Sequence, residues 1–312
     1  MPTLDLMKMS EHYRKMRIDV FQKATRPEDG SAAGHERNKN KLKERVLALC
    51  DEADLSHYAG SDESAACRIW RHLWTKIRFA GIRTVIAEKE IQDIGFVFDD
   101  FRVFSKPSWD IHARGHVLVS AGSAAQHFLD RTGLFKECQT IGNLPKLCKT
   151  VSVARRLADF MDRKGPNVPA LHFVTNGRPA NDVWTIHEHL MGIGYTADLT
   201  ALHLMMDLGF QVMKPDVVIS RLFLRWGWLA QIVPQLPVDL SKTYTKAVIY
   251  RPIIDLARKI VDVTEQTALV SDIGWATNNP LREFDIFVVK YGQVADRDFG
   301  IERCLAEATR PS

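Results

Sequence analysis

The sequence predicts a mainly α-helical protein with two helical lobes and a cleft between them. Apolar residues recur every three or four positions along most of the 312-residue chain, which is the spacing of one face of an α-helix. Short loops rich in proline, glycine and asparagine separate these stretches. Helices are predicted near residues 4–24, 35–52, 63–80, 122–131, 150–164, 182–190, 195–208, 217–230, 245–262 and 281–291.

Composition is typical of a globular intracellular protein. Hydrophobic residues make up 46% of the chain, enough for a sizeable core at this length. The formal net charge of +4 is mildly basic and suits local contact with phosphates. Five scattered cysteines without a Cys-x-x-Cys pair predict reduced thiols. The expected location is therefore cytoplasmic, or nucleoid-associated in a bacterium, and no membrane partner is expected because no apolar run approaches the roughly 18 residues of a span.

A tight turn between two helical patterns is the first candidate site. It consists of Leu190, Met191, Gly192, Ile193, Gly194, Tyr195 and Thr196. The two glycines predict a turn that leaves no room for a Cβ atom. The second helix is predicted to begin at Gly194 or Tyr195, so that its unpaired N–H groups face outward. Such amides bind a phosphate without reading the base sequence.

A lone carboxylate follows the turn at the start of the next helical pattern. Gly209 is predicted to end the second helix of the hairpin, and Pro215 cannot continue one. Asp216 therefore falls at the N-terminus of a helix that also carries Arg221. There the helix dipole and the free amides stabilise the charged carboxylate.

The segment from about Val183 to Trp228 resembles the signature of the helix-hairpin-helix DNA glycosylase superfamily. The hairpin of that family has the form Leu-Pro-Gly-Val/Ile-Gly, and this chain departs from it only in having Met191 in place of proline. The family's catalytic aspartate follows the hairpin by roughly twenty residues and matches Asp216, which Pro215 precedes. The resemblance implies the family's fold of two helical lobes.

The resemblance also implies an activity. Lyase members of the family have a lysine where this chain has Thr196, and threonine cannot form a Schiff base. The implied enzyme is a monofunctional DNA glycosylase that hydrolyses the N-glycosidic bond of a flipped modified or damaged base and leaves an abasic site. Asp216 would stabilise the oxocarbenium-like sugar and orient or deprotonate the attacking water. Its expected partner is double-stranded DNA, and the protein is expected to act as a monomer.

Few cofactors are expected. The His187-Glu188-His189 triplet lacks the spacing that places two imidazoles on one helical face, so no catalytic metal is predicted. Only Cys304 lies where some family members hold an iron-sulfur cluster, and no nucleotide-binding loop occurs. The resemblance implies at most a structural Na⁺ or K⁺ at the backbone carbonyls of Leu190 and Ile193.

Further contacts with DNA are predicted from residue type alone. Trp109 and Tyr195 are candidates for stacking on the flipped base. Lys146, Lys149 and Arg221 are candidates for phosphate contacts. The charged run from His35 to Arg45 is interpreted as a solvated helix face, and Trp70 and Trp74, four residues apart, are interpreted as core.

Three segments are predicted: an N-terminal helical extension or lobe over 1–110, a helix-hairpin-helix glycosylase core over 111–235, and C-terminal helices over 236–312 that complete the second lobe. A competing register places the first helix of the core at Ala66 to Ile82 instead of His116 to Asp130. Two alternatives to a repair glycosylase stay open. One is a glycosylase-fold factor that acts on bulky hypermodified, phage-type bases in antiviral defence, and the other is a non-catalytic DNA-binding or scaffold protein.

Overall fold

The computed structural model describes residues 4–79, 153, 156–157, 159–165, 167–193, 198–236 and 239–298. Over these ranges the chain is mainly α-helical, as predicted. A short 3₁₀ helix, Leu55–Tyr58, lies between the second and third α-helices. The labelled α-helices are α1 (Leu6–Thr25), α2 (Ala32–Asp51), α3 (Glu63–Phe79), α4 (His172–Thr175), α5 (Val183–Gly192), α6 (Asp198–Leu208), α7 (Val217–Arg225), α8 (Trp228–Ile232), α9 (Leu240–Thr243), α10 (Ala247–Val263), α11 (Gln266–Ile273) and α12 (Pro280–Asp298).

The chain forms two compact units. Unit 1 combines Met1–Ala53 with Gln211–Ser312, and unit 2 is Asp54–Phe210. Unit 1 therefore contains α1, α2 and α7–α12, whereas unit 2 contains α3–α6. These boundaries differ from the segment boundaries predicted at 110 and 235, of which the first lies outside the described residues and the second falls inside unit 1. Asp216 belongs to unit 1 and the predicted hairpin belongs to unit 2.

Helix α1 organises unit 1. Its apolar residues Met9, Tyr13, Met16 and Val20 recur at helical spacing and are all buried, and the helix packs against α2, α10, α11 and α12. Arg17 lies within this buried set and is itself fully buried. The core of unit 1 therefore contains a charged group that needs partners of its own.

Helix α3 supplies much of the core of unit 2. Ile69, Trp70, Leu73 and Trp74 are completely buried, which confirms the two tryptophans as core residues. Helix α3 packs against α6, and a largely buried ion pair between Lys76 and Asp207 joins the two helices. The second helix of the predicted hairpin is thereby anchored inside unit 2.

Most of the predicted helices that lie in the described residues are confirmed, although the last one runs on to Asp298, and one prediction needs correction. The predicted helix over 217–230 is two helices, because Gly227 has a φ of 71° and interrupts the chain between α7 and α8. Three helices, α4, α9 and α11, have no counterpart in the prediction. The end of α6 at Leu208 agrees with the sequence, since Gly209 has a φ of 100° and Phe210 N–H donates to the Met205 carbonyl at 3.0 Å. The predicted helix over 122–131 lies outside the described residues.

Candidate functional site

Asp216 caps the N-terminus of α7. Its Oδ1 atom accepts hydrogen bonds from the backbone N–H groups of Val218, at 2.9 Å, and Ile219, at 3.1 Å. Pro215, the residue before it, is buried. Because proline is disfavoured inside a helix, it favours a helix that begins after this position. The prediction of a carboxylate at a helix N-terminus is therefore confirmed.

The second oxygen of Asp216 makes no hydrogen bond with any residue in the described part of the chain. The side chain is partly exposed. One oxygen therefore fixes the carboxylate against the helix, and the other remains for a molecule from solution. A carboxylate held in this way can stabilise a nearby cation or accept a proton from a water molecule.

A close approach of two helices holds α7 in place. Helix α7 packs against α12 at Gly292, where a Cβ atom would lie 2.2 Å from Cγ1 of Val218 and 3.0 Å from Cδ1 of Leu222. Real Cβ contacts are not as short as 2.2 Å, so a larger residue at this position would force Val218 to shift. Because Asp216 caps the N–H of Val218, Gly292 helps to set the position of the carboxylate.

Gly292→Ala is expected to destabilise unit 1 and to displace the first turn of α7. Overpacking of this kind costs about 1–3 kcal/mol, measurable by chemical denaturation. Val218→Ala removes the atom that clashes, so the double variant is expected to recover most of the loss. A Gly292→Ala protein with unchanged stability would contradict the close approach.

A second contact fixes the segment that leads to Asp216. Arg258 on α10 donates from Nε to the carbonyl of Gln211 at 2.7 Å, and its Nη2 bonds the same oxygen. Burial lowers the pKa of Arg258, and Asp255 opposes that shift. Gln211 lies five residues before Asp216. Sequence reasoning missed both Arg258 and Gly292, since neither stands near the motif.

In unit 2, the first helix of the hairpin runs further than predicted. Helix α5 includes Met191 and Gly192, and Ile193 is its C-terminal cap. The Ile193 carbonyl accepts a hydrogen bond from Nη1 of Arg156 at 2.8 Å. This carbonyl was assigned to a monovalent cation by resemblance. A guanidinium already supplies positive charge there, which weighs against a second cation, and the cation site stays a prediction.

Two histidines link the hairpin to its surroundings. Nε2 of the buried His187 bonds the carbonyl of Asp198, the first residue of α6, at 3.1 Å. Nε2 of His189 bonds the carbonyl of Phe173 at 3.0 Å. A carbonyl only accepts, so both histidines donate here. The two imidazoles reach different backbone partners, as their spacing predicts.

The prediction for Gly192 needs correction. It lies in α5 without a positive φ, and a Cβ atom built on it meets no atom within 4 Å. The expectation that the turn requires glycine at this position is therefore wrong. Gly194, Tyr195 and Thr196 lie outside the described residues.

Substitutions at Gly192 separate folding from DNA binding. Gly192→Ala is expected to leave the free energy of unfolding unchanged or to raise it by up to about 1 kcal/mol, because alanine has the better helix propensity. Gly192→Asp is expected to weaken duplex binding for every base sequence, since the added charge would repel phosphate. Thr185→Asp, at an exposed position of the same helix, is the matched control in a fluorescence anisotropy titration. Equal losses in the two aspartate variants would exclude the hairpin as the phosphate anchor.

A polar cluster that the sequence did not reveal supports α6. Nζ of Lys76 lies 3.0 Å from Nε2 of His203 and also pairs with Asp207. Nearby, the Tyr58 hydroxyl is 2.7 Å from Nε2 of His72. Burial lowers the pKa of His72 to about 4, with Asp207 opposing the shift. Neutral His72 is therefore expected at physiological pH.

The remaining predicted contacts are only partly placed. Trp109, Lys146 and Lys149 lie outside the described residues. Arg221 lies on α7, partly exposed, one turn beyond the residues that Asp216 caps. Its assignment to a phosphate stays a prediction.

No protein-family model matches the chain, and neither a curated protein nor a solved structure matches it. No helix in the described ranges is long and apolar enough to cross a membrane. Across the same residues no group of three or more His, Cys, Asp or Glu side chains is placed to hold a metal ion. The functional argument therefore depends on the residues themselves.

Proposed function

We propose that the protein is a monofunctional DNA glycosylase that hydrolyses the N-glycosidic bond of a flipped modified or damaged base and leaves an abasic site. The observation that carries the proposal is the state of Asp216. One of its oxygens is fixed by two amides, and the other bonds no described residue. A cap needs only one oxygen, so the second is the one that chemistry would use.

The reaction needs one carboxylate and one water molecule. As the bond between C1′ and the base nitrogen breaks, its electron pair leaves with the base and the sugar becomes oxocarbenium-like. The negative charge of Asp216 stabilises that sugar. Water then adds at C1′, its proton passes to the carboxylate, and the carboxylate afterwards releases this proton to the departed base or to solvent. Holding Asp216 rigidly through Val218 and Ile219 lowers the cost of orienting it.

The grip on double-stranded DNA is assigned to the hairpin. Exposed amides at a helix start bind phosphate irrespective of the base, and a protein that must find rare bases benefits from such contacts. Arg156 and His187 hold the two helices of this hairpin by hydrogen bonds to Ile193 and Asp198. We further propose that the enzyme works as a monomer without a nucleotide cofactor.

The test is release of free base, followed by mass spectrometry. The substrate panel contains duplexes with alkylated or deaminated bases, and phage DNA with bulky hypermodified bases. Release from a damaged duplex supports repair, whereas release from phage DNA alone supports the defence hypothesis. Release from none, with duplex binding intact, would overturn the enzymatic proposal in favour of a DNA-binding or scaffold role.

The same reactions test the monofunctional assignment. Thr196 stands where lyases have an amine, so borohydride is expected to trap no covalent protein–DNA adduct. The released product should be an intact abasic strand that breaks only after alkali treatment. A trapped adduct would show that some amine of the chain attacks C1′.

A further inference from the structure

Helix α2 presents a row of cations to solvent. Arg37, Lys41 and Arg45 are exposed and stand four residues apart. The opposite face of the helix is buried at Val46 and Cys50. The row, here called the α2 stripe, therefore lies along the outer face of unit 1.

The three cations of the stripe form no ion pair with any described residue, whereas several other cations of unit 1 do. On the neighbouring α1, Lys15 pairs with Glu11 at 3.1 Å and Lys23 pairs with Asp19 at 2.9 Å. In the described part of the chain, none of the three stripe residues has a carboxylate partner or a hydrogen bond from its side chain. Other cations of this unit that do pair include Arg14, Lys39, Lys242, Arg258 and Arg282.

This lack of pairing is not due to a lack of acids on α2. Glu36 bonds Lys39 at 3.7 Å instead of the adjacent Arg37. Glu44 is exposed three residues after Lys41, and the two form no ion pair. The stripe thus keeps its positive charge available for an external anion.

The spacing of the stripe fits a repeating anion. Four residues advance an α-helix by about 6 Å, and two nucleotides advance one strand of a duplex by about 7 Å. Neighbouring stripe residues can therefore meet every second phosphate group along a strand. Isolated phosphates or a single carboxylate would engage only one of the three.

The stripe and the candidate catalytic carboxylate belong to one unit. Helix α2 packs against α1 and α12, and Nδ2 of Asn279, just before α12, donates to the carbonyl of Ala53 at 3.3 Å. Helix α12 in turn packs against α7 at Gly292. A backbone contact through the stripe would therefore act on the unit that carries Asp216.

We propose that the α2 stripe is a second DNA-backbone contact, separate from the hairpin, which neutralises phosphates of the duplex without reading its sequence. The choice of DNA rests on the proposed function. The stripe positions unit 1 on the duplex, while the hairpin does the same for unit 2. Its contribution is electrostatic and falls as salt rises.

The experiment compares two variants of equal charge. One carries Arg37→Gln, Lys41→Gln and Arg45→Gln, and the control carries Lys15→Gln, Lys23→Gln and Lys242→Gln at exposed, ion-paired positions. Binding to a labelled undamaged duplex is measured over a range of salt concentrations. Binding of the stripe variant is expected to depend less on salt. The slope of log K against log salt, which is negative, should become smaller in magnitude by about 2.7, since each phosphate contact contributes about 0.9. The control is expected to change it by less than one contact.

Two results would overturn the proposal that the α2 stripe binds the DNA backbone. Equal changes in the two variants would mean that net charge alone governs binding. Wild-type binding to vesicles of phosphatidylserine and phosphatidylcholine that is lost in the stripe variant, with duplex binding unchanged, would identify a membrane surface instead. Neither result depends on base release, because the duplex carries no damage, so failure of the glycosylase proposal remains a separate outcome.

Discussion

Asp216→Asn is expected to lower base release about 100- to 10,000-fold while the protein stays folded. A positioned proton acceptor contributes about that range, and loss of a charge beside the transition state falls within it. Asparagine keeps an oxygen that can accept from the amides of Val218 and Ile219, so it caps α7 nearly as well. The expected change in stability is at most about 1 kcal/mol, from the lost interaction with the helix dipole. Single-turnover kinetics and thermal unfolding measure the two quantities.

Two companion variants separate catalysis from capping. Asp216→Ser also supplies a capping oxygen, and it is expected to fold normally and to be inactive. Asp216→Ala removes the cap and is expected to lose about 0.5–2 kcal/mol of stability as well. If Asp216→Asn retains full activity, or if activity falls only in proportion to stability across the three variants, Asp216 is a cap and nothing more.

Duplex affinity provides a further distinction. Removal of a carboxylate beside a phosphate-rich ligand is expected to leave binding unchanged or to strengthen it, because repulsion is removed. A merely structural loss would weaken binding together with activity. Tighter binding with lost chemistry is therefore the pattern that a catalytic carboxylate predicts.

The sequence predicted most of the long helices, because most of them bury apolar residues at helical spacing. Met9, Tyr13 and Met16 on α1 are buried at helical spacing, and so are Trp70 and Trp74 on α3. The sequence also placed Asp216 at the start of a helix. Gly209 follows the end of α6 and Pro215 precedes the start of α7, and the backbone preferences of both residues are local. The break at Gly227 was missed because apolar residues continue on both sides of it, and periodicity does not reveal a left-handed φ.

The residues that hold Asp216 and its preceding segment in place could not be predicted from the sequence, for a different reason. Gly292 lies 76 residues from Asp216, and Arg258 lies 47 residues from Gln211. Contacts over such separations leave no local pattern. The error at Gly192 is of the opposite kind. The motif predicted that a Cβ atom would not fit there, but the structure leaves room for one. Local chemistry was therefore predictable, and long-range positioning was not.

Arg17→Met is expected to cost unit 1 about 3–5 kcal/mol, because it leaves a buried carboxylate without its partner. The Arg17 guanidinium donates to Oε1 of Glu283 at 2.5 Å, to the Leu269 carbonyl at 2.6 Å and to the Trp275 carbonyl at 2.8 Å. Both charged residues are almost wholly buried. Chemical denaturation measures the loss.

The control for this prediction lies on the same helix. Lys15→Met removes a cation that pairs with Glu11 in solvent, and such surface pairs contribute about 0–1 kcal/mol. The double variant Arg17→Met with Glu283→Leu removes both buried charges, so it is expected to recover part of the loss. Recovery is incomplete because the carbonyls of Leu269 and Trp275 still lose their donor.

The pH dependence of the Arg17→Met variant identifies the cause of its instability. Burial raises the pKa of Glu283, and Arg17 opposes that shift. Without Arg17 the folded-state pKa of Glu283 rises further above its unfolded value of about 4.3. An acid with a raised folded pKa contributes stability that is present below the unfolded pKa and is lost as pH rises through the folded one. The penalty of Arg17→Met should therefore be smaller near pH 5 than near about pH 8, whereas a simple loss of packing would give the same penalty at both.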